Sequence, residues 1–88
     1  MRTNTNRQAL KATNRAREPI KAYIAALHEV YPRARGSTSV TVRPNYGVIV
    51  HVPLPKRASE RMRLFDQMAE VGTRILLDTD EYIILSSR

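Results

Sequence analysis

Eighty-eight residues with no cysteine and a formal charge of +7 describe one small domain without room for a second core, and they exclude disulfides and thiolate metal sites. Cysteine usage points to no oxidising compartment, the first fourteen residues lack the apolar stretch of a signal peptide, and no apolar run approaches bilayer length, so a cytoplasmic chain without membrane contact is expected. The charge is uneven: thirteen Lys and Arg face three Glu over 1–63, whereas two Arg face five Asp and Glu over 64–88.

Residues 1–17 are rich in Thr, Asn and Arg and hold too few apolar side chains to pack on a core, so they read as a basic arm that includes Arg15 and Arg17. A single domain is expected over 18–88. Glu18-Pro19 marks a helix start, because proline suits a first turn whose N–H would be unpaired anyway. Ile20, Tyr23, Ile24, Leu27, Val30 and Tyr31 then recur at three- and four-residue steps, which predicts an amphipathic helix over 19–31 ended by Pro32. Arg33 to Ser37 form a basic connector.

Thr38, Val40 and Val42 alternate with polar neighbours, as do Val48, Val50 and Val52, and Pro44-Asn45-Tyr46-Gly47 between them has turn chemistry. The pattern predicts a hairpin of strands 38–43 and 48–52. Pro53 and Pro55 remove ladder donors and release the chain into a second helix over 56–71, with Gly72 as its expected stop. That helix is basic in its first turns and acidic later, the reverse of what its dipole favours. Thr73 to Leu77 and Tyr82 to Ser86 read as two further strands around the turn Asp78 to Glu81, apolar on successive positions as in strands buried on both faces.

The resulting order, αββαββ, predicts an α+β two-layer sandwich: a four-stranded antiparallel sheet with two helices on one face, a ferredoxin-like plait with its first strand moved to the end. A dimer could complete or extend that sheet. A chain this short buries only about 60–65% of the surface it exposes unfolded, so a homodimer through Ile75, Leu77, Ile83 and Leu85 of the last strands is expected.

Catalytic constellations are thin. His28 and His51 stand twenty-three residues apart without an acidic partner nearby, too few for a zinc site, and Asp78, Asp80 and Glu81 lack the ligands and mid-loop glycine of a calcium loop. The three glycines are isolated, so no phosphate-cradling loop forms, and no cofactor or metal is expected. What remains is a basic surface. Arg33, Arg35, Arg43, Lys56, Arg57, Arg61 and Arg63 all fall in connectors or at a helix start, joined by Arg15 and Arg17 of the arm and by Tyr46 as a base-stacking candidate. Twelve of the fifteen cations are arginine, whose planar fork suits phosphate.

Neither an aromatic-rich strand pair, a G-x-x-G clamp nor a helix-turn-helix is present. The expected function is therefore non-enzymatic, weakly sequence-specific binding of RNA or DNA through the backbone. The alternatives are a dimeric regulatory module meeting an acidic protein, of phage or mobile-element type, and a small basic ribonuclease using His51, His28 or Tyr46. Whether the cations meet on one face is left open by the sequence.

Overall fold

The computed structural model describes residues 17–87. Of the arm expected over 1–17, only Arg17 lies among them, already helical and exposed. A helix, α1, occupies 17–30 and passes through the one-turn 3-10 helix Pro32–Ala34 into a hairpin of β1 (Ser39–Arg43) and β2 (Gly47–Val52). Helix α2 (Ala58–Thr79) and strand β3 (Ile83–Ser87) follow and complete the described residues.

Among the described residues the sheet has three strands in the order β1-β2-β3. β1 and β2 pair antiparallel with Val40 opposite Val50, whereas β3 pairs parallel to β2 with Val48 opposite Ile83. The expected four-stranded antiparallel sheet is thus corrected to a three-stranded mixed one, and αββαββ to αββαβ. A parallel neighbour needs a crossover element to carry the chain back, and α2 is that element.

The missing strand is 73–77, which continues α2. Gly72 was expected to stop the helix, but it is buried inside it and serves close approach instead: a Cβ there would sit 3.0 Å from the Ile83 carbonyl oxygen and 3.6 Å from the Tyr23 ring. Beyond Gly72 an exposed Arg74–Glu70 pair spans one turn, and Thr79 Oγ1 donates to the Ile75 carbonyl. The helix ends at Asp80, which adopts a left-handed φ of 62° and returns its N–H to the Leu76 carbonyl. Aspartate is one of the few residues besides glycine that tolerates this conformation.

β2 is central and alternates strictly, with Val48, Val50 and Val52 buried. They share one core with Tyr23 and Leu27 of α1 and with Leu64 and Met68 of α2, so both helices cover the same sheet face. Each such side chain contributes about 1.5–3 kcal/mol by leaving water. The opposite face, carrying Thr41, Ile49, His51 and Ile84, is uncovered among the described residues. Gly47 opens β2 with φ 106°, and a Cβ there would overlap the Tyr82 carbonyl oxygen that accepts the Val48 N–H.

Candidate functional site

A hairpin returns the chain to the end where it began, so the segment before β1 and the segment after β2 must share one end of the sheet. The β1–β2 pairing settles which cations can meet. At that end Pro32 fixes the backbone of the 3-10 turn, and Ala34 is fully buried, which anchors the turn and leaves Arg33 outside. Thr38 Oγ1 donates to the Ala34 carbonyl at 2.7 Å, so its single proton is used. His28 Nε2, 2.9 Å away, must then be the donor to Thr38, which fixes the Nε2–H tautomer.

Across from this turn runs 53–57. Tyr31 Oη donates to the Pro53 carbonyl at 2.9 Å, and Arg61 Nη1 donates to the carbonyls of Pro55 (3.1 Å) and Lys56 (2.6 Å). Arg61 is therefore a brace that holds the loop onto the first turn of α2. The two segments enclose an open groove of about 950 Å³ in which Arg33 faces Lys56 and Arg57, with Tyr31 as a wall and Glu60 as the one acid. Tyr31 also walls a smaller hollow of about 250 Å³ that holds Arg63. Arg35 lies two residues past Arg33 and is exposed.

Among the described residues the ion pairs are Lys21–Glu18 and Arg74–Glu70, both away from this end. Arg33, Lys56, Arg57 and Arg63 thus carry charge that no described carboxylate pairs with. The start of α2 adds to it: Arg57 is the N-cap and supplies no side-chain hydrogen bond, so the first-turn N–H groups and the positive end of the helix dipole face the same region.

The other expected site residues are elsewhere. Arg43 and Tyr46 are at the hairpin tip, the opposite end of β1, roughly 13 Å along the strand from Ser39. Tyr46 is 74% exposed there. Arg17 stands at the start of the described part of α1, and Arg15 lies outside the described residues. The aromatic that accompanies the cations is Tyr31, which the periodicity assigns to the packing stripe of the first helix; only the apposition of residues 31 and 53 reveals its second role.

His51 is on the uncovered sheet face, 3.1 Å from Thr41 Oγ1, while His28 is on the helix side. The geometry does not gather His28, His51 and Tyr46 into one cleft. No group of three or more His, Asp or Glu among the described residues is placed to hold a metal, and no described helix is long and apolar enough to cross a membrane. Of the residues expected to self-associate, Ile83 is in the core, Ile75 and Leu85 pack against it, and Leu77 is 79% exposed on a helix. No protein-family model matches this chain, and no curated protein sequence or solved structure is detectably similar to it.

Proposed function

We propose that this protein binds the phosphate backbone of a nucleic acid across its basic end, without reading sequence closely. The observation that carries the reading is the convergence of Arg33 with Lys56 and Arg57 on one open groove, unpaired by any described carboxylate. The segments that carry them are anchored to the core by Ala34, Tyr31 and Leu54, while the prolines and the Arg61 brace hold the cations themselves in solvent at a cost in ordering entropy. An aromatic wall beside guanidinium groups suits a ribose or a base next to the bound phosphates.

Binding of this kind is driven by counterion release and falls steeply with salt. Fluorescence anisotropy of labelled single-stranded RNA and of duplex DNA across about 25–250 mM salt is the direct test. Three to four neutralised phosphates predict a slope of about −2 to −4 in log K against log salt. No binding of either at the lowest salt would overturn the proposal. Capture of an acidic protein that persists at high salt, in its absence, would assign the groove to a protein partner.

A further inference from the structure

On the β3 side of the molecule two elements are left unfinished among the described residues, side by side. Val48 N–H donates to the Tyr82 carbonyl, and Val48 lies opposite Ile83 in a parallel ladder. Residues 82, 84 and 86 therefore turn their main-chain groups toward β2, and Ile83, Leu85 and Ser87 turn theirs to the open edge. Gly72 of α2 sits against the Ile83 carbonyl. Beyond it a groove of about 430 Å³ opens between α2 and the β3 edge, walled by Phe65, Ala69 and Leu76 on one side and Leu85 on the other.

α2 carries a second apolar stripe here, beside its core stripe of Leu64, Met68 and Gly72. Met62, Phe65, Ala69, Thr73 and Leu76 follow at three- and four-residue steps, with Met62 67% and Phe65 38% exposed. An open strand edge next to an exposed helix stripe is what a two-layer sandwich of helices on a sheet leaves at a cut through its middle.

We infer that a second copy of this chain completes both, with β3 pairing antiparallel to the partner's β3 and α2 packing beside the partner's α2. Leu85 of one chain then exchanges main-chain bonds with the partner's Ser87, and the two three-stranded sheets become one of six strands. Charge selects this occupant and this direction. The start of α2 is basic (Lys56, Arg57) and its exit acidic (Asp78, Asp80, Glu81), so an antiparallel copy lays each basic start beside the partner's acidic exit. It also opposes the two helix dipoles, which relieves charges placed unfavourably on an isolated α2. The β1 edge lacks this match, because Arg35 and Arg43 flank both its ends and a twofold copy would set like charges together.

Sedimentation velocity on the full chain, from about 5 to 200 µM, tests the inference. A concentration-dependent dimer is expected. Ala69→Glu, at an exposed helical position, and Ser87→Pro, which removes only an edge-facing N–H, should each raise the dimer Kd about tenfold or more with circular dichroism unchanged. Leu77→Glu, off the stripe, should leave it alone. Glu81→Lys should weaken the dimer, and Glu81→Lys with Arg57→Glu should restore it. A monomer at 200 µM, or a dimer that withstands Ala69→Glu and Ser87→Pro but yields to Val40→Lys on the β1 edge, overturns the inference.

Discussion

The two ends of α2 are charged against the helix that carries them, yet the residues at one end have structural work that most of those at the other lack. At the exit, Asp78 and Asp80 oppose the negative end of the dipole, each at a cost of about 0.3–1 kcal/mol. The residues there nevertheless have structural work: Thr79 Oγ1 accepts the Glu81 N–H, Asp80 takes the left-handed cap, and Tyr82 receives Val48. At the start, Arg57, Arg61 and Arg63 crowd the positive end at a similar cost, and of these Arg61 alone has a described hydrogen-bonding role. Residues whose backbone or hydroxyl the fold uses and residues that it leaves without a partner look identical in a sequence. The unpaired ones are what a ligand would explain.

A left-handed glycine at each end turns this contrast into the largest expected effect. Gly47 at the acidic end has φ 106° and no room for a Cβ, while Gly36 at the basic end has φ 78° with nothing within 4 Å of where its Cβ would be. Gly36→Ala should cost about 1 kcal/mol, the conformational penalty alone. Gly47→Ala should cost roughly 3–4 kcal/mol, because the β2–β3 junction must also shift. Urea unfolding followed by circular dichroism separates them. Equal losses would mean that the acidic end is no more tightly fitted than the basic one.

Tyr23 probes the packing under the acidic half of α2, where its ring meets Gly72. Burial raises its hydroxyl from 10.0 to about 12. The folded state holds the neutral phenol while the unfolded chain ionises near pH 10, so this contribution is complete below pH 10, declines as pH rises from 10 to 12 and is absent above. The full difference is roughly 2–3 kcal/mol. Tyr23→Phe should remove that part of the decline, read as a smaller fall in urea midpoint between pH 9 and pH 11.5 than in the unchanged chain.

The basic end is tested by subtraction. Replacing Arg33, Lys56 and Arg57 together by Ala should weaken nucleic-acid binding about 10- to 100-fold at 50 mM salt and flatten the salt slope by about 2–3. Arg43→Ala with Tyr46→Ala, at the hairpin tip, should change neither by more than about twofold. A reversed ranking in anisotropy would move the site to the tip. Arg61→Ala should act differently from both, losing about 1–2 kcal/mol of stability as two loop carbonyls lose their donor, and Arg61→Lys should recover only part of it because an ammonium lacks the fork.

The alternation of Val48, Val50 and Val52 was readable because one face of β2 is buried and the other is not, and the stripe of α1 was readable for the same reason. Ile75, Leu76 and Leu77 continue a helix where their pattern suggests a strand. Three adjacent apolar residues after a glycine fit a strand buried on both faces, and nothing local reveals that Gly72 makes room for the Ile83 carbonyl. Ile75 in fact continues the core stripe of Leu64, Met68 and Val71, a helical step that the glycine masks. The candidate site was legible as a set of residues and hidden as a place. Arg33 and Lys56 are twenty-three positions apart, and Tyr31 joins them only through the Pro53 carbonyl. Arg43 and Tyr46 looked equivalent to them because charge and exposure in sequence carry no address.

The smallest effects give the sharpest comparison, because each relieves a charge misplaced against the helix at one end. Asp80→Gly relieves the left-handed φ and removes a carboxylate from the negative end of α2, and Arg57→Asp supplies the missing N-cap acceptor and a favourable charge at the positive end. Each should stabilise the fold by about 0.5–1.5 kcal/mol, a rise in urea midpoint readable in parallel unfolding curves. Their consequences for binding should diverge: Asp80→Gly leaves the anisotropy titration where it was, and Arg57→Asp weakens it about tenfold or more. A gain in stability coupled to a loss of binding, at one end only, is the signature of charge kept for a partner. A gain in affinity from Asp80→Gly as large as that from a charge in the groove would mean that the whole field of the protein, and not the groove, holds the nucleic acid.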